Sequence, residues 1–198
     1  MLPKSFYFLR HGETDWNKQG LMQGHTDIPL NDTGRAQAEA AAAILARVPI
    51  DRIVASPLIR AYETAEIVNR HLQKEIVREE GIRERHFGSM EGVTHIEMDR
   101  QRQQMMAEGL LPVEENGYPC PPEAEPYGDF RLRTIESFAR HMREMPEENI
   151  LFVAHGGVYR VLRRCLFEDL DHSANAHPFY FERVDNALWR LRSVDEIS

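Results

Sequence analysis

The chain is poor in cysteine. Two residues, Cys120 and Cys165, in a length of 198 cannot build a disulfide framework, and they read as reduced thiols of a cytoplasmic protein. Long apolar runs are also missing. No stretch approaches the roughly 18 apolar residues that a membrane helix needs, and the opening MLPKSFYFLRHGE meets charge too early to resemble a signal peptide. Basic residues are outnumbered, 24 Lys and Arg against 32 Asp and Glu, for a net charge of −8. An acidic surface of this kind argues against nucleic acid and against anionic membranes as partners. Any anionic ligand must then be held by a local basic cluster. No HxH or HExxH spacing marks a metal site, and no internal repeat is present.

What is there suits a globular domain. Hydrophobic residues make up 42% of the chain, enough for a core without metals or staples. Strands and helices alternate. Ser5–Leu9, Arg52–Ala55 and Ile150–Ala154 are short, continuous apolar runs, as expected of strands buried on both faces. Glu75–Glu79 is a further strand, and Phe179–Val184 and Ala187–Val194 close the sheet around Asp185-Asn186. Helices are expected from Asp32 or Thr33 to Ala46, from Ser56 as N-cap and Pro57 to about His71, over Phe130–Met145 and over Val158–Phe167. Residues 93–108 have helical composition with a polar surface, and 109–128 form a loop rich in Pro, Gly and Glu. The expected fold is α/β: a three-layer sandwich with a mostly parallel central sheet flanked by helices. It forms one domain over residues 1–198, with a small helical cap or loop insert at about 93–128.

Two of the strands end in the same chemical word. One runs into Arg10-His11-Gly12 and the other into His155-Gly156-Gly157. Ligands of open α/β sheets bind at the carboxyl ends of strands, and a glycine there lets backbone approach a ligand. If the strands are neighbours, two imidazoles converge beside an arginine. The Ser56-Pro57 junction brings Arg60 to the same edge, and with Arg10 it makes a guanidinium clamp suited to phosphate.

The ordered set of motifs is broader than this. Arg10-His11-Gly12-Glu13-Thr14 with Trp16-Asn17, then Gln23-Gly24-His25-Thr26-Asp27-Ile28-Pro29-Leu30, Thr33-Gly34, Ser56-Pro57…Arg60-Ala61, Glu84-Arg85-His86-Phe87-Gly88, Glu91-Gly92 and His155-Gly156-Gly157 resemble the histidine phosphatase superfamily, the phosphoglycerate mutase-like fold. The resemblance implies that His11 is the nucleophile, forming a phosphohistidine. It implies that Arg10, Arg60 and His155 hold the phosphoryl oxygens. Glu84 would act as general acid and then as base. Asn17, Gln23 and Gly156 would contact the phosphoryl group or the pocket edge, and Glu13 would support the pocket from behind.

Within that family, three features point to the phosphatase branch. Glu84 and His155 are only 71 positions apart, a short insert for a mutase that must exclude water. Gly156-Gly157-Val158 stands where mutases favour Gly-Asn-Ser, and Phe87 where they favour Tyr. The expectation is a metal-independent phosphomonoesterase of small phosphorylated metabolites, with no cofactor; the alternative is a phosphoglycerate mutase. The partners expected are the phosphomonoester substrate and, at most, a second copy of the chain as a homodimer. Specificity is expected from the cap and from Arg85, His86, Arg100 and Arg102. Glu114, Glu115, Glu123 and Glu125 would face solvent or restrict highly anionic substrates. Met90, Met98, Met105 and Met106 read as cap packing. His25, His71, His86, His95, His141, His172 and His177 read as solvated or structural.

Overall fold

The computed structural model describes residues 2–109, 114, 120, 123–167 and 173–197. Six strands, β1 (Phe6–Arg10), β2 (Arg52–Ala55), β3 (Glu75–Arg78), β4 (Ile150–Ala154), β5 (Pro178–Arg183) and β6 (Trp189–Ser193), form one sheet in the order β3-β2-β4-β1-β5-β6. The first four are mutually parallel, and β5 and β6 add antiparallel at one edge. The α-helices among the described residues are α1 (Asp15–Gln19), α2 (Asp32–Leu45), α3 (Ile59–Leu72), α4 (His95–Ala107), α5 (Tyr127–Glu144) and α6 (Gly156–Phe167).

The alternation of side chains along a strand divides the core into two layers. From β1 and β4, Phe6, Phe8, Ile150 and Phe152 face α5 and α6, where they meet Phe138, Met142, Val158 and Tyr159. Tyr7, Leu9, Leu151 and Val153 face the other way, onto Ala41, Ala42 and Leu45 of α2 and Ala65 and Val68 of α3. Phe138 stacks on Phe152 with centroids 3.9 Å apart, and Phe6 stacks on Phe181 at 4.7 Å. Small alanines on α2 let that helix lie close to the sheet. Large aromatics on the other face fill a deeper layer.

Several boundaries differ from expectation, each for a physical reason. Asn31, rather than Asp32 or Thr33, caps α2, its Oδ1 accepting from the Gly34 amide at 2.8 Å. Ser56 does not cap α3. That helix starts at Ile59 after Leu58, which lends no side-chain cap, and the Ser56 hydroxyl is used elsewhere. Helix α6 begins two residues early and takes both glycines of the His-Gly-Gly word into its first turn. Helix α5 begins at Tyr127 rather than Phe130. The expected loop at 109–128 falls largely outside the described residues. Helix α4 is tied to the loop after α1 by the Leu21–Thr94 bridge and by Met22 N–H donating to the Val93 carbonyl at 2.9 Å. Its Met98 packs with Met22, Phe87 and Met90, with Met105 at the margin, while Met106 is exposed. No helix among the described residues is long and apolar enough to cross a membrane.

Candidate active site

The register of the parallel strands assembles the site. Arg10 pairs with Ala154 and Ala55 with Val153. The chains leaving β1, β2 and β4 therefore start level. The His11 amide donates to the Ala154 carbonyl and the Ser56 amide to the Val153 carbonyl, both at 3.0 Å. His11 and His155 come to lie with ring centroids 5.3 Å apart.

Each imidazole is oriented by a specific partner. His11 Nδ1 lies 2.7 Å from the Gly12 carbonyl. A carbonyl can only accept, so the proton sits on Nδ1, and Nε2 keeps its lone pair. Burial, reinforced by the Arg60 and Arg10 guanidiniums, holds the His11 pKa well below 6.5. The ring is neutral at physiological pH. His155 Nε2 lies 2.7 Å from Ser56 Oγ, and the same oxygen takes the Leu58 amide at 3.4 Å. With that hydroxyl donating to Nε2, the ring proton of His155 is on Nδ1. Burial, Arg60 and His11 keep His155 neutral as well.

A cavity of about 410 Å³ opens over these groups, lined by Arg10, His11, Asn17, Gln23, Arg60 and Glu84 among others. Arg10 is held by Nη1 donating to the Ser173 carbonyl at 2.7 Å. Arg60 is fully buried and donates to the carbonyls of Gly24 (2.8 Å) and Thr26 (3.1 Å). Desolvation lowers its pKa to about 10, so it remains charged. Eight buried side-chain polar atoms among the described residues lack a hydrogen-bond partner, and Arg10 Nε, Arg60 Nε, His155 Nδ1 and Ser173 Oγ are the four that belong to this site. Orphaned buried donors are costly, and three of them around one histidine match an anion. Asn17 Oδ1 accepts from the Thr14 amide and hydroxyl and from Asn175 Nδ2, which directs its NH₂ end to other acceptors. The single Thr14 hydroxyl proton is shared between that Oδ1 and Gln23 Oε1, each 3.1 Å away.

Glu84 lines the cavity on the side of α6. Its Oε1 accepts from the Arg85 amide and its Oε2 from the Gly157 amide, both at 2.8 Å. Gly157 is irreplaceable in this arrangement, because a Cβ there would stand 2.0 Å from Glu84 Oε1. At Gly156 a Cβ would stand 3.5 Å from the Arg10 guanidinium, an ordinary contact. Gly12, expected to admit a ligand, serves packing instead: a Cβ there would meet the Gly34 carbonyl at 2.3 Å. The other nearby carboxylates are occupied. Glu13 accepts from Asn31 Nδ2. Glu91 takes the amides of His25, Thr26 and Phe87 and the Thr26 hydroxyl, and these bonds hold its pKa down against desolvation.

A family model described as histidine phosphatase superfamily (branch 1) matches residues 6–186. The chain belongs to the histidine phosphatase superfamily. It is 37% identical over 158 residues to an uncharacterized phosphatase, PhoE, of Bacillus subtilis, covering 78% of this chain and 72% of that protein. It is 36% identical over 193 residues to an agropine synthesis reductase of Rhizobium rhizogenes, 91% of this chain, but it spans only 40% of that protein's length. A mycobacterial glucosyl-3-phosphoglycerate phosphatase solved with VO3 superposes with a TM-score of 0.79 at 28% identity, covering 96% of this chain and 97% of that one.

The histidine phosphatase fold here thus brings Arg10, His11, Asn17, Gln23, Arg60, Glu84 and Gly156 around one cavity, with His155 beside His11. His155 itself is fully buried beneath the cavity floor. The cavity also contains residues that the motifs do not indicate: His95 from α4, Arg160 from α6 and Ser173. His95, expected to be solvated or structural, stands in the cavity wall. Arg160 follows Gly157 by three positions in α6, which brings it onto the same helix face. Of the expected specificity residues, Arg85 and Arg102 line a neighbouring cavity. Arg100 is exposed and pairs with Glu97, and His86 Nδ1 donates to the Glu123 carbonyl. Glu114 and Glu125 do not face solvent freely: they pair with Arg85 and Arg133 at 2.6 and 2.5 Å. Glu115 and His172 lie outside the described residues. Among the described residues, no three His, Cys, Asp or Glu side chains group so as to hold a metal ion.

Proposed function

We propose that the protein is a phosphomonoesterase that hydrolyses small phosphorylated metabolites through a phosphohistidine on His11. The observation carrying this reading is the set of orphaned buried donors, Arg10 Nε, Arg60 Nε and His155 Nδ1, around a neutral imidazole whose proton is locked on Nδ1. In the first half-reaction the His11 Nε2 lone pair bonds to phosphorus and the bond from phosphorus to the ester oxygen breaks. Glu84 gives its proton to that oxygen and the alcohol leaves. In the second, Glu84 takes a proton from water as the water oxygen bonds to phosphorus. The P–N bond breaks, inorganic phosphate leaves, and His11 and protonated Glu84 are restored. The two arginines neutralise the equatorial oxygens throughout, the largest demand of phosphoryl transfer, and the neutral His155 adds a hydrogen bond from Nδ1. Asn17, Gln23 and the Gly156 backbone complete the cradle.

Charge neutralisation by fixed guanidiniums makes a divalent cation unnecessary. The test is hydrolysis of p-nitrophenyl phosphate in excess EDTA, beside a coupled assay with 3-phosphoglycerate. Phosphate release that chelation leaves intact, without isomerisation to 2-phosphoglycerate, is expected. Activity abolished by EDTA and restored by Mg²⁺ would refute the metal-independent mechanism, and isomerisation faster than hydrolysis would make the protein a mutase.

A further inference from the structure

A second cavity, of about 360 Å³, adjoins the first and shares Met22, Glu84, Phe87, His95 and Arg160 with it. Three helices wall it, each with one face. Helix α4 contributes His95, Met98, Asp99 and Arg102, α5 contributes Tyr127 and Phe130, and α6 contributes Gly157, Arg160 and Arg164. These spacings of three, four and seven are one helical stripe apiece. Glu84 stands at the border between the two cavities. A phosphoryl group bound over His11 places its ester oxygen at Glu84, so the rest of the substrate extends into the second cavity.

Its wall combines apolar and cationic surface. Met98, Phe87, Tyr127 and Phe130 are buried and form the apolar part of the lining. Arg85 is matched by Glu114, and Arg102 has Asp99 at 3.9 Å. Arg160 has no carboxylate partner among the described residues, and its charge helps to lower the pKa of His95 across the cavity. Four arginines, Arg85, Arg102, Arg160 and Arg164, against the carboxylates Asp99 and Glu84 leave an excess of positive charge in this cavity, in a chain of net charge −8.

We infer that the second cavity is the leaving-group subsite, and that it selects phosphomonoesters whose alcohol part carries a second anionic group on an apolar or aromatic body, with Arg160 as the residue that selects the charge. This rests on the phosphatase reading above. A neutral sugar or a small aliphatic alcohol would leave the apolar wall uncovered and Arg160 uncompensated. A carboxylate or phosphonate reaching Arg160 makes a charge-assisted pair in a partly desolvated site.

The test uses aryl phosphates of matched shape: 3- and 4-carboxyphenyl phosphate, 4-phosphonophenyl phosphate, the neutral 3- and 4-carbamoylphenyl phosphates, and phenyl phosphate. The wild-type enzyme should favour at least one carboxylate isomer over its isosteric amide by about 10-fold or more in kcat/KM, although the amide is the better leaving group. The carboxylate and phosphonate arms tell which anion fits. Arg160→Gln should bring the charged-to-neutral ratio close to one, and Arg160→Lys should retain most of it. If neither carboxylate isomer nor the phosphonate is preferred by the wild-type enzyme, the inference is overturned. It is overturned equally if Arg160→Gln lowers charged and neutral esters alike, since Arg160 would then serve the transferred phosphoryl group. Turnover of every ester without charge preference would refute this subsite alone. No turnover of any ester would refute the phosphatase reading with it.

Discussion

Gly157→Ala adds one methyl group and removes no functional side chain, yet it should disable acid catalysis. The new Cβ would lie 2.0 Å from Glu84 Oε1, 2.9 Å from Cδ and 3.1 Å from Oε2. Reaching ordinary contact at 3.4 Å requires the carboxylate to retreat by about 1.4 Å, and a displacement of about 1 Å can cost roughly 10²-fold in rate. The obstructing atoms are the end of a flexible side chain, so the protein folds, and alanine favours the α6 helix by about 1 kcal/mol over glycine. The cost falls on the leaving group. Phosphorylation by alkyl phosphates should slow by about 10²–10⁴-fold, the range of a lost general acid. The p-nitrophenolate ion leaves unaided, so the burst with p-nitrophenyl phosphate should change far less. Single-turnover rates on both esters, with thermal melting as the control for folding, measure this. Alkyl phosphorylation within about threefold of wild type, or equal losses on both esters, would show that Glu84 is not the acid held by Gly157.

Stability should depend on pH through the two buried imidazoles. The pKa values of His11 and His155 lie well below 6.5 in the fold, whereas unfolded histidines titrate near ~6.5. The unfolded chain therefore binds the extra protons. The contribution is complete above pH ~6.5 and is lost as pH falls below it, at about 2.7 kcal/mol per pH unit for the pair. Urea denaturation at pH 7.5 and 5.5 should show a steeper decline for wild type than for a His11→Gln, His155→Gln double variant, and equal declines would contradict the neutral assignment. Ser56→Ala removes the hydroxyl 2.7 Å from His155 Nε2. An unpaired buried imidazole nitrogen should cost about 1–3 kcal/mol of stability and, by releasing the ring proton from Nδ1, roughly 10-fold in kcat/KM for a loss near 1.4 kcal/mol. Unchanged stability and kinetics would remove Ser56 from the site.

Much of the fold is legible because β1, β2 and β4 are buried on both faces and so read as unbroken apolar runs between turn residues. Much of the site is legible because His11, Arg60 and His155 sit just past strand ends or one turn into a helix, where position along the chain fixes position in space. The features missed depend on contacts between distant segments. Ser56 looks like a helix cap, with Pro57 behind it, but it is spent on His155, 99 positions away. Both glycines of the second motif look like loop residues. Both lie in the first turn of α6, and Gly157 lies where a Cβ would collide with the Glu84 carboxylate. Helix α4 has a polar composition with only Met98 and Arg102 buried, so its periodicity gives little hint that His95 and Arg102 face cavities. Such placement becomes visible only once α4, α5 and α6 are packed together.

Trapping the phosphoenzyme is the most direct measurement of the chemistry assigned to His11. Wild-type protein mixed with a phosphomonoester and quenched in milliseconds should carry an acid-labile, base-stable phosphoryl group. Peptide mapping under alkaline conditions should place it on His11 Nε2, the nitrogen left free by the Nδ1 bond to the Gly12 carbonyl. His11→Asn should carry none and should release no phosphate. A label on His155, an undiminished label in His11→Asn, or turnover by that variant would contradict the assignment.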